Sequence, residues 1–152
     1  MATYLFAWNP SLWEWPTLAR DIRKLARQGH LDTDWSAGRT RALDVGSRAF
    51  LVRVGVPPKG IFGAGYTLTG PEPALHWRPE KAAAGVTTQY LHLRLDALFA
   101  LPPVTYDDLA VPPFARFRWG VRASGVRVPT SLADRLEALW EERVAALRAA
   151  QR

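Results

Sequence analysis

Ile61-Phe62-Gly63-Ala64-Gly65-Tyr66-Thr67-Leu68 has the β-branched and aromatic character of a strand, yet glycines interrupt it, and Gly60 stands directly before it. Each such glycine weakens a strand by roughly 0.5 to 1 kcal/mol. Gly60, Gly63 and Gly65 therefore imply a bulge, tight curvature or the close approach of another backbone, and the wall of a small barrel uses all three. Just upstream, Arg48-Ala49-Phe50-Leu51-Val52-Arg53-Val54 is a second β-rich run behind the turn Asp44-Val45-Gly46. Pro57-Pro58-Lys59-Gly60 turns the chain from one into the other.

Working outward, Tyr4 to Trp8 reads as a strand that is apolar on both faces and hence central, ended by Asn9-Pro10. A short helix follows. Pro16 fits its first helical position, Leu18, Ile22 and Leu25 recur at helical spacing, and Gly29 fits the C-terminal cap. His30 to Leu43 and residues 70 to 87 read as irregular polar stretches, the first carrying Trp35 and the second Leu75-His76-Trp77-Arg78-Pro79. Gln89 to Asp96 alternates as a half-buried strand does, with Leu91, Leu93 and Leu95 on one face and Tyr90, His92 and Arg94 on the other. Ala115 to Trp119 alternates again, and Arg122-Ala123-Ser124-Gly125 turns into a final short edge. A last helix opens at Ser131, with Asp134 completing a capping box, and aligns Leu132, Leu136, Leu139, Trp140, Val144 and Leu147 on one side. The expected fold is α+β, one domain over residues 1–152: a small, mostly antiparallel β-barrel flanked by helices.

The 152 residues carry 20 lysines and arginines, nearly all arginine, against 14 acidic residues, a formal charge of +6. The planar guanidinium fork suits bidentate contact with phosphate, which favours nucleic acid as partner over a merely solvated surface. With no cysteine, disulfides, thiolate metal sites and a cysteine nucleophile are excluded. The N-terminus has no basic leader and no apolar run approaches the roughly 18 residues of a membrane span, so the expectation is a cytoplasmic protein with no membrane partner. His30, His76 and His92 are scattered outside any metal-ligand spacing, and nucleotide-binding glycine motifs and nucleophile elbows are missing. No cofactor, metal or catalytic residue is expected. Asp107-Asp108 reads as a cap in a polar turn rather than as a catalytic carboxylate pair.

Tryptophan is the anomaly, with seven residues. Trp140 lies on the helix stripe and Trp119 alternates along a strand, so both read as core. Trp8, Trp13 and Trp15 form either a hydrophobic plug or part of a site. Trp35 and Trp77 sit in polar stretches, where two indoles facing one another would make a slot for a flipped base; stacking contributes roughly 1 to 3 kcal/mol per base. One methyl group is discriminated by only about 1 to 3 kcal/mol in a tight apolar slot, so polar groups must select the base. Asn9, whose amide offers both a donor and an acceptor, is the candidate.

Tyr4-Leu5-Phe6-Ala7-Trp8-Asn9-Pro10, the Trp35-Ser36 loop, the strand from Arg48 to Val54 and Pro58-Lys59-Gly60-Ile61-Phe62-Gly63-Ala64-Gly65 resemble, in that order, the EVE domain of the PUA-like superfamily. EVE domains and the related YTH domains read modified bases, and bacterial EVE domains occur fused to HNH or McrB-type nucleases that restrict modified DNA. The chain departs from the commoner EVE pattern in having Asn9 where an acidic residue usually precedes the proline. The resemblance implies a pocket of Asn9, Trp13, Trp35, Ser36 and Trp77, with Arg122 on a phosphate. The expected activity is recognition of 5-methylcytosine or 5-hydroxymethylcytosine in double-stranded DNA, without chemistry of its own, as the specificity module of a fused or associated nuclease. Arg39, Arg41, Lys59, Arg122 and Arg127 would hold phosphates. The alternatives are an RNA-binding or RNA-cleaving domain of ASCH type, an N6-methyladenine reader, and a protein-interaction module whose tryptophans are core.

Overall fold

β1 (Thr3–Trp8) alternates its side chains between two apolar layers and is paired along both edges, as its unbroken apolar sequence requires. The computed structural model describes residues 1–151. Around β1 it places a mixed sheet of eight strands. The order runs from β2 (Leu31–Gly38) through β6 (Thr87–Leu98), β4 (Gly60–Thr67) and β3 (Arg48–Arg53) to β1 and β8 (Val126–Val128). β5 (Glu72–Leu75) adds to β6, and β7 (Val104–Thr105) adds to β4. β1 and β3 run parallel, and the other ladders are antiparallel.

Two apolar layers cover the two faces. α1 (Leu18–Gln28) closes over Phe6, Trp8, Leu51, Phe62, Leu91 and Leu93, while α4 (Thr130–Ala150) lays Leu136, Trp140 and Val144 on Leu5, Phe50, Val52 and Ile61. The first layer draws residues from β2 at one end of the strand order, Leu31 and Trp35, and from β1 next to the other end, Phe6, so the sheet is curled. No ladder joins β2 to β1 or β8 among the described residues. The Trp35 indole N–H, donating to the Ala7 carbonyl at 3.3 Å, bridges that gap.

The glycines of β4 serve the curvature read from the sequence. Its pairing slips once between Leu51 and Val52 of β3 and again between Ala64 and Gly65. A Cβ on Gly65 would collide with the Arg94 carbonyl, and one on Gly60 with that of Val104, so two backbones approach where only glycine fits. α1 ends as expected, on Gly29 in the left-handed conformation (φ 81°), whose N–H bonds the Leu25 carbonyl at 2.8 Å.

Five local expectations fail. Pro16 lies ahead of α1, which opens at Leu18 with Thr17 at its N-cap. The stretch carrying Trp35 is a strand, held to β6 by register, by the ion pair Asp32–Arg94 and by the contact of Asp34 with His92 across the ladder. Residues 70 to 87 contain β5 and the short α2 (Pro79–Ala83), which form an arm without a buried side chain between Glu72 and Lys81. Ala115 to Trp119 is not a strand. Phe114 and Phe117 turn on i to i+3 backbone bonds, and the buried Trp119 donates its indole N–H to Phe114. No capping box opens α4, because Pro129 takes the first position and its carbonyl receives Leu132 and Ala133. The box occurs instead at α3 (Tyr106–Leu109), between Thr105 and Asp108.

Candidate nucleic-acid interface

β1 ends against Asn9, whose side-chain oxygen accepts the Ser11 N–H at 3.0 Å and the Ser11 hydroxyl at 2.6 Å. This turn throws Leu12 and Trp13 out to the surface, 53% and 43% exposed. Trp13 leans back on its neighbours, 5.6 Å from Trp15, 6.4 Å from Trp8 and 5.7 Å from Trp35 between ring centres. Trp8 is fixed by its indole N–H to the Trp13 carbonyl and by the Arg53 guanidinium over its ring.

Beside this cluster the end of β2 bulges between Ser36 and Gly38. The Ser36 hydroxyl accepts the Gly38 N–H at 3.1 Å, and the Thr88 hydroxyl donates to the Gly38 carbonyl at 2.9 Å. Opposite, the segment before β8 approaches so closely that Thr40 Oγ1 bonds the Gly125 carbonyl and Ser124 Oγ accepts the Ala7 N–H. The arm completes the surround. There the Trp77 ring lies 5.1 Å from the His76 ring at an interplanar angle of 30°, so the imidazole covers one indole face, and Trp77 stays 40% exposed.

These segments border an open cavity of about 1240 Å³. Asn9, Trp13, Trp35, Ser36 and Trp77, the residues singled out for a base, all line it, as do Arg39, Lys59 and Arg122. Arg41 and Arg127 do not. Arg127 stands on β8 opposite Tyr4, and Arg41 lies beyond the β2 bulge, so neither belongs to this surface. Arg78, Lys81 and Arg118 do belong, unread in the sequence. Lining cations thus outnumber the one lining carboxylate, Asp34, which is itself held by His92.

Trp35 departs from its expected place. As an inward residue of β2 it is only 6% exposed, wedged edge-on between Trp13 and Trp15, and it offers the cavity a sliver of floor rather than an open face. The accessible indoles are Trp13 and Trp77. Asn9 is likewise half committed: Ser11 occupies its oxygen, while its NH₂ group makes no hydrogen bond among the described residues. Ser36 is spent on the bulge.

Titratable groups here are also engaged. His76 Nδ1 accepts the Arg78 N–H at 3.0 Å, and its pKa is lowered by desolvation first and then by the nearby Lys81 and Arg78. Burial raises the Tyr90 and Tyr106 phenols. Among the described residues no group of histidines and carboxylates is placed to hold a metal ion, and no helix is long and apolar enough to cross a membrane.

No family model and no curated protein matches the chain. Its fold is shared with solved structures. A hypothetical protein of Leishmania major aligns over 94% of this chain and 96% of its own at a TM-score of 0.63, with 13% identity. A protein of Pseudomonas syringae aligns over 91% and 99% at 0.61 with 20% identity, and one of Pseudomonas putida over the same shares at 0.56 with 22%. At such identities the likeness establishes an α+β architecture common to all of them from end to end.

Proposed function

We propose that the chain is a modified-base reader of EVE type, in the PUA-like superfamily, that seats a base of nucleic acid in the cavity beside Trp13 and Trp77. The observation that carries this reading is the composition of the cavity wall, exposed indoles surrounded by cations with a single, already paired carboxylate. Indole faces stack on any base at about 1 to 3 kcal/mol each, and unpaired guanidinium groups favour the phosphates on either side. The free Asn9 NH₂ is a donor, suited to an acceptor on the base edge. A cytosine bearing a 5-methyl or 5-hydroxymethyl group in double-stranded DNA is the preferred ligand, flipped from the stack. The reader would act as the recognition module of a nuclease fused to it or associated with it, and the fold supports the superfamily reading through its curled, mostly antiparallel sheet.

The test is a binding screen over duplexes that carry 5-methylcytosine, 5-hydroxymethylcytosine or N6-methyladenine, each beside its plain parent, with RNA counterparts. At least one modified cytosine duplex should bind about 10-fold more tightly than its parent, since a methyl group in a tight slot contributes about 1 to 3 kcal/mol. Equal affinity across every pair rejects the reading.

A further inference from the structure

One base leaves most of the cavity unfilled. A pocket of roughly 300 to 1,000 Å³ already buries a drug-sized ligand, whereas this one measures about 1240 Å³. Contacts set the order of the segments along it. At the root of the arm, Thr88 bonds Gly38 beside Ser36. The next residue, Trp35, meets Trp13, Trp13 meets Trp8, and Asn9 packs on Gly55, so close that a Cβ there would strike its amide. The chain from Gly55 then leads to Lys59.

Cations stand at both ends of that aromatic path. At one end Arg78 and Lys81 ride on the arm. At the other, Lys59 Nζ lies 5.8 Å from the centre of the Tyr106 ring, and Tyr106 donates its N–H to the Lys59 carbonyl. Arg118 lines the same end beside Gly120, where a Cβ would lie 3.2 Å from the Tyr106 hydroxyl. Lys59 and Arg118 meet no carboxylate among the described residues. Arg78 pairs with Glu80 at 2.6 Å, but both side chains are open to water, so the pair has small net worth and yields readily to a phosphate.

We infer that the cavity is a track for a nucleic-acid strand several nucleotides long. Arg78 and Lys81 hold phosphates on one side of the seated base, and Lys59 and Arg118 hold those on the other. The inference rests on the reading above for its class of ligand and adds the length of strand and the residues at its two ends. Each cation that neutralises a phosphate releases counterions, so a single strand gives log K against log salt a slope of about −0.7 per contact.

The experiment measures binding of the whole chain by fluorescence anisotropy at several salt concentrations. Its probes are a modified mononucleotide, a short single strand with that base at its centre, and the same strand cut back on either side. The centred strand should bind at least 10-fold more tightly than the mononucleotide. The double variants Arg78→Ala/Lys81→Ala and Lys59→Ala/Arg118→Ala should each flatten the salt slope by about 1.4. Each should also become indifferent to trimming on one side only, and on opposite sides. A strand that binds no better than its mononucleotide, or slopes unmoved by either pair, overturns the track while leaving base selection intact. Plain and modified strands bound equally, with length dependence and slopes as expected, would instead overturn base selection and leave the track standing.

Discussion

Arg48 and the cavity cations are the same chemistry used in opposite ways. Arg48 is buried on the α4 side, where its guanidinium meets Glu137 through two bonds of 2.8 and 3.1 Å, Asp96 at 2.9 Å and the Gly65 carbonyl. It also lies against the rings of Phe50 and Tyr66. Burial works against its charge, but these partners prevail and raise its pKa. Arg39, Arg118 and Arg122, by contrast, surround the cavity with no carboxylate partner among the described residues. Arg48 ties β3, β6 and α4 together, so its neighbours explain it. The cavity arginines have no such internal account, and clustered like charges repel unless an anion joins them. That difference separates cations bound into the fold from cations left free at the cavity, and the tryptophans divide along the same line into buried and exposed.

The sharpest break between the two regimes lies within the aromatic cluster. Trp35 is buried in the layer beneath α1, and Trp35→Ala should cost about 3 to 5 kcal/mol of stability, as truncating a core tryptophan does. Trp77→Ala should leave chemical denaturation within about 0.5 kcal/mol of the parent yet weaken binding of a modified strand by about 1 to 3 kcal/mol. A large loss of stability on removing Trp77 would return that indole to the core and take the open pocket with it.

Next in size is the removal of a carboxylate from the buried clip. Glu137→Ala leaves Asp96 as the one carboxylate on Arg48, beside the Gly65 carbonyl, and breaking a buried pair costs about 3 to 5 kcal/mol. Asp96 remains, and both carboxylates are partly hydrated, so about 2 kcal/mol is expected here. Denaturant unfolding measures it. Affinity for nucleic acid should not change, because Glu137 does not line the cavity; a parallel loss of binding would show that the two regions are not independent.

Much of this fold is written locally. The Leu91, Leu93, Leu95 alternation, the Gly29 cap and the glycines of β4 each express a constraint between near neighbours or a backbone geometry, and the structure uses them as read. β2 was hidden because its outward face is Asp32, Asp34 and Ser36, which looks like a polar loop. Its inward period of Leu31, Trp35 and Ala37 was there to be found, as was the charge match of Asp32 with Arg94 on β6. The alternation of 115 to 119 misled because turns also bring Phe114, Phe117 and Trp119 together. At the site, Trp13 and Trp77 on the cavity wall were legible because tryptophan is rare and costly to expose, whereas Trp35 turned inward into the core. The cations were legible in part: Arg39, Lys59 and Arg122 line the cavity as read, Arg78, Lys81 and Arg118 join them unread, and Arg41 and Arg127 lie outside it.

The smallest effect concerns the arm, which lacks both a core and a clip. Its turn is held where His76 Nδ1 accepts the Arg78 N–H, a bond that requires the imidazole to be neutral. Lys81 and Arg78 oppose a proton there and Glu80 favours one, while desolvation is the largest influence, and together they lower the pKa from 6.5. A base depressed in the folded state contributes stability that is full above its unfolded value and lost as pH falls through the folded one. The contribution of His76 should therefore be complete at neutral pH and fade only below 6.5. The Arg78 amide resonance should titrate in that range, and the transition should vanish in His76→Ala. A midpoint above 6.5 would mean that the arm welcomes the proton, contrary to the desolvation and the neighbouring Lys81 and Arg78 that hold the pKa down.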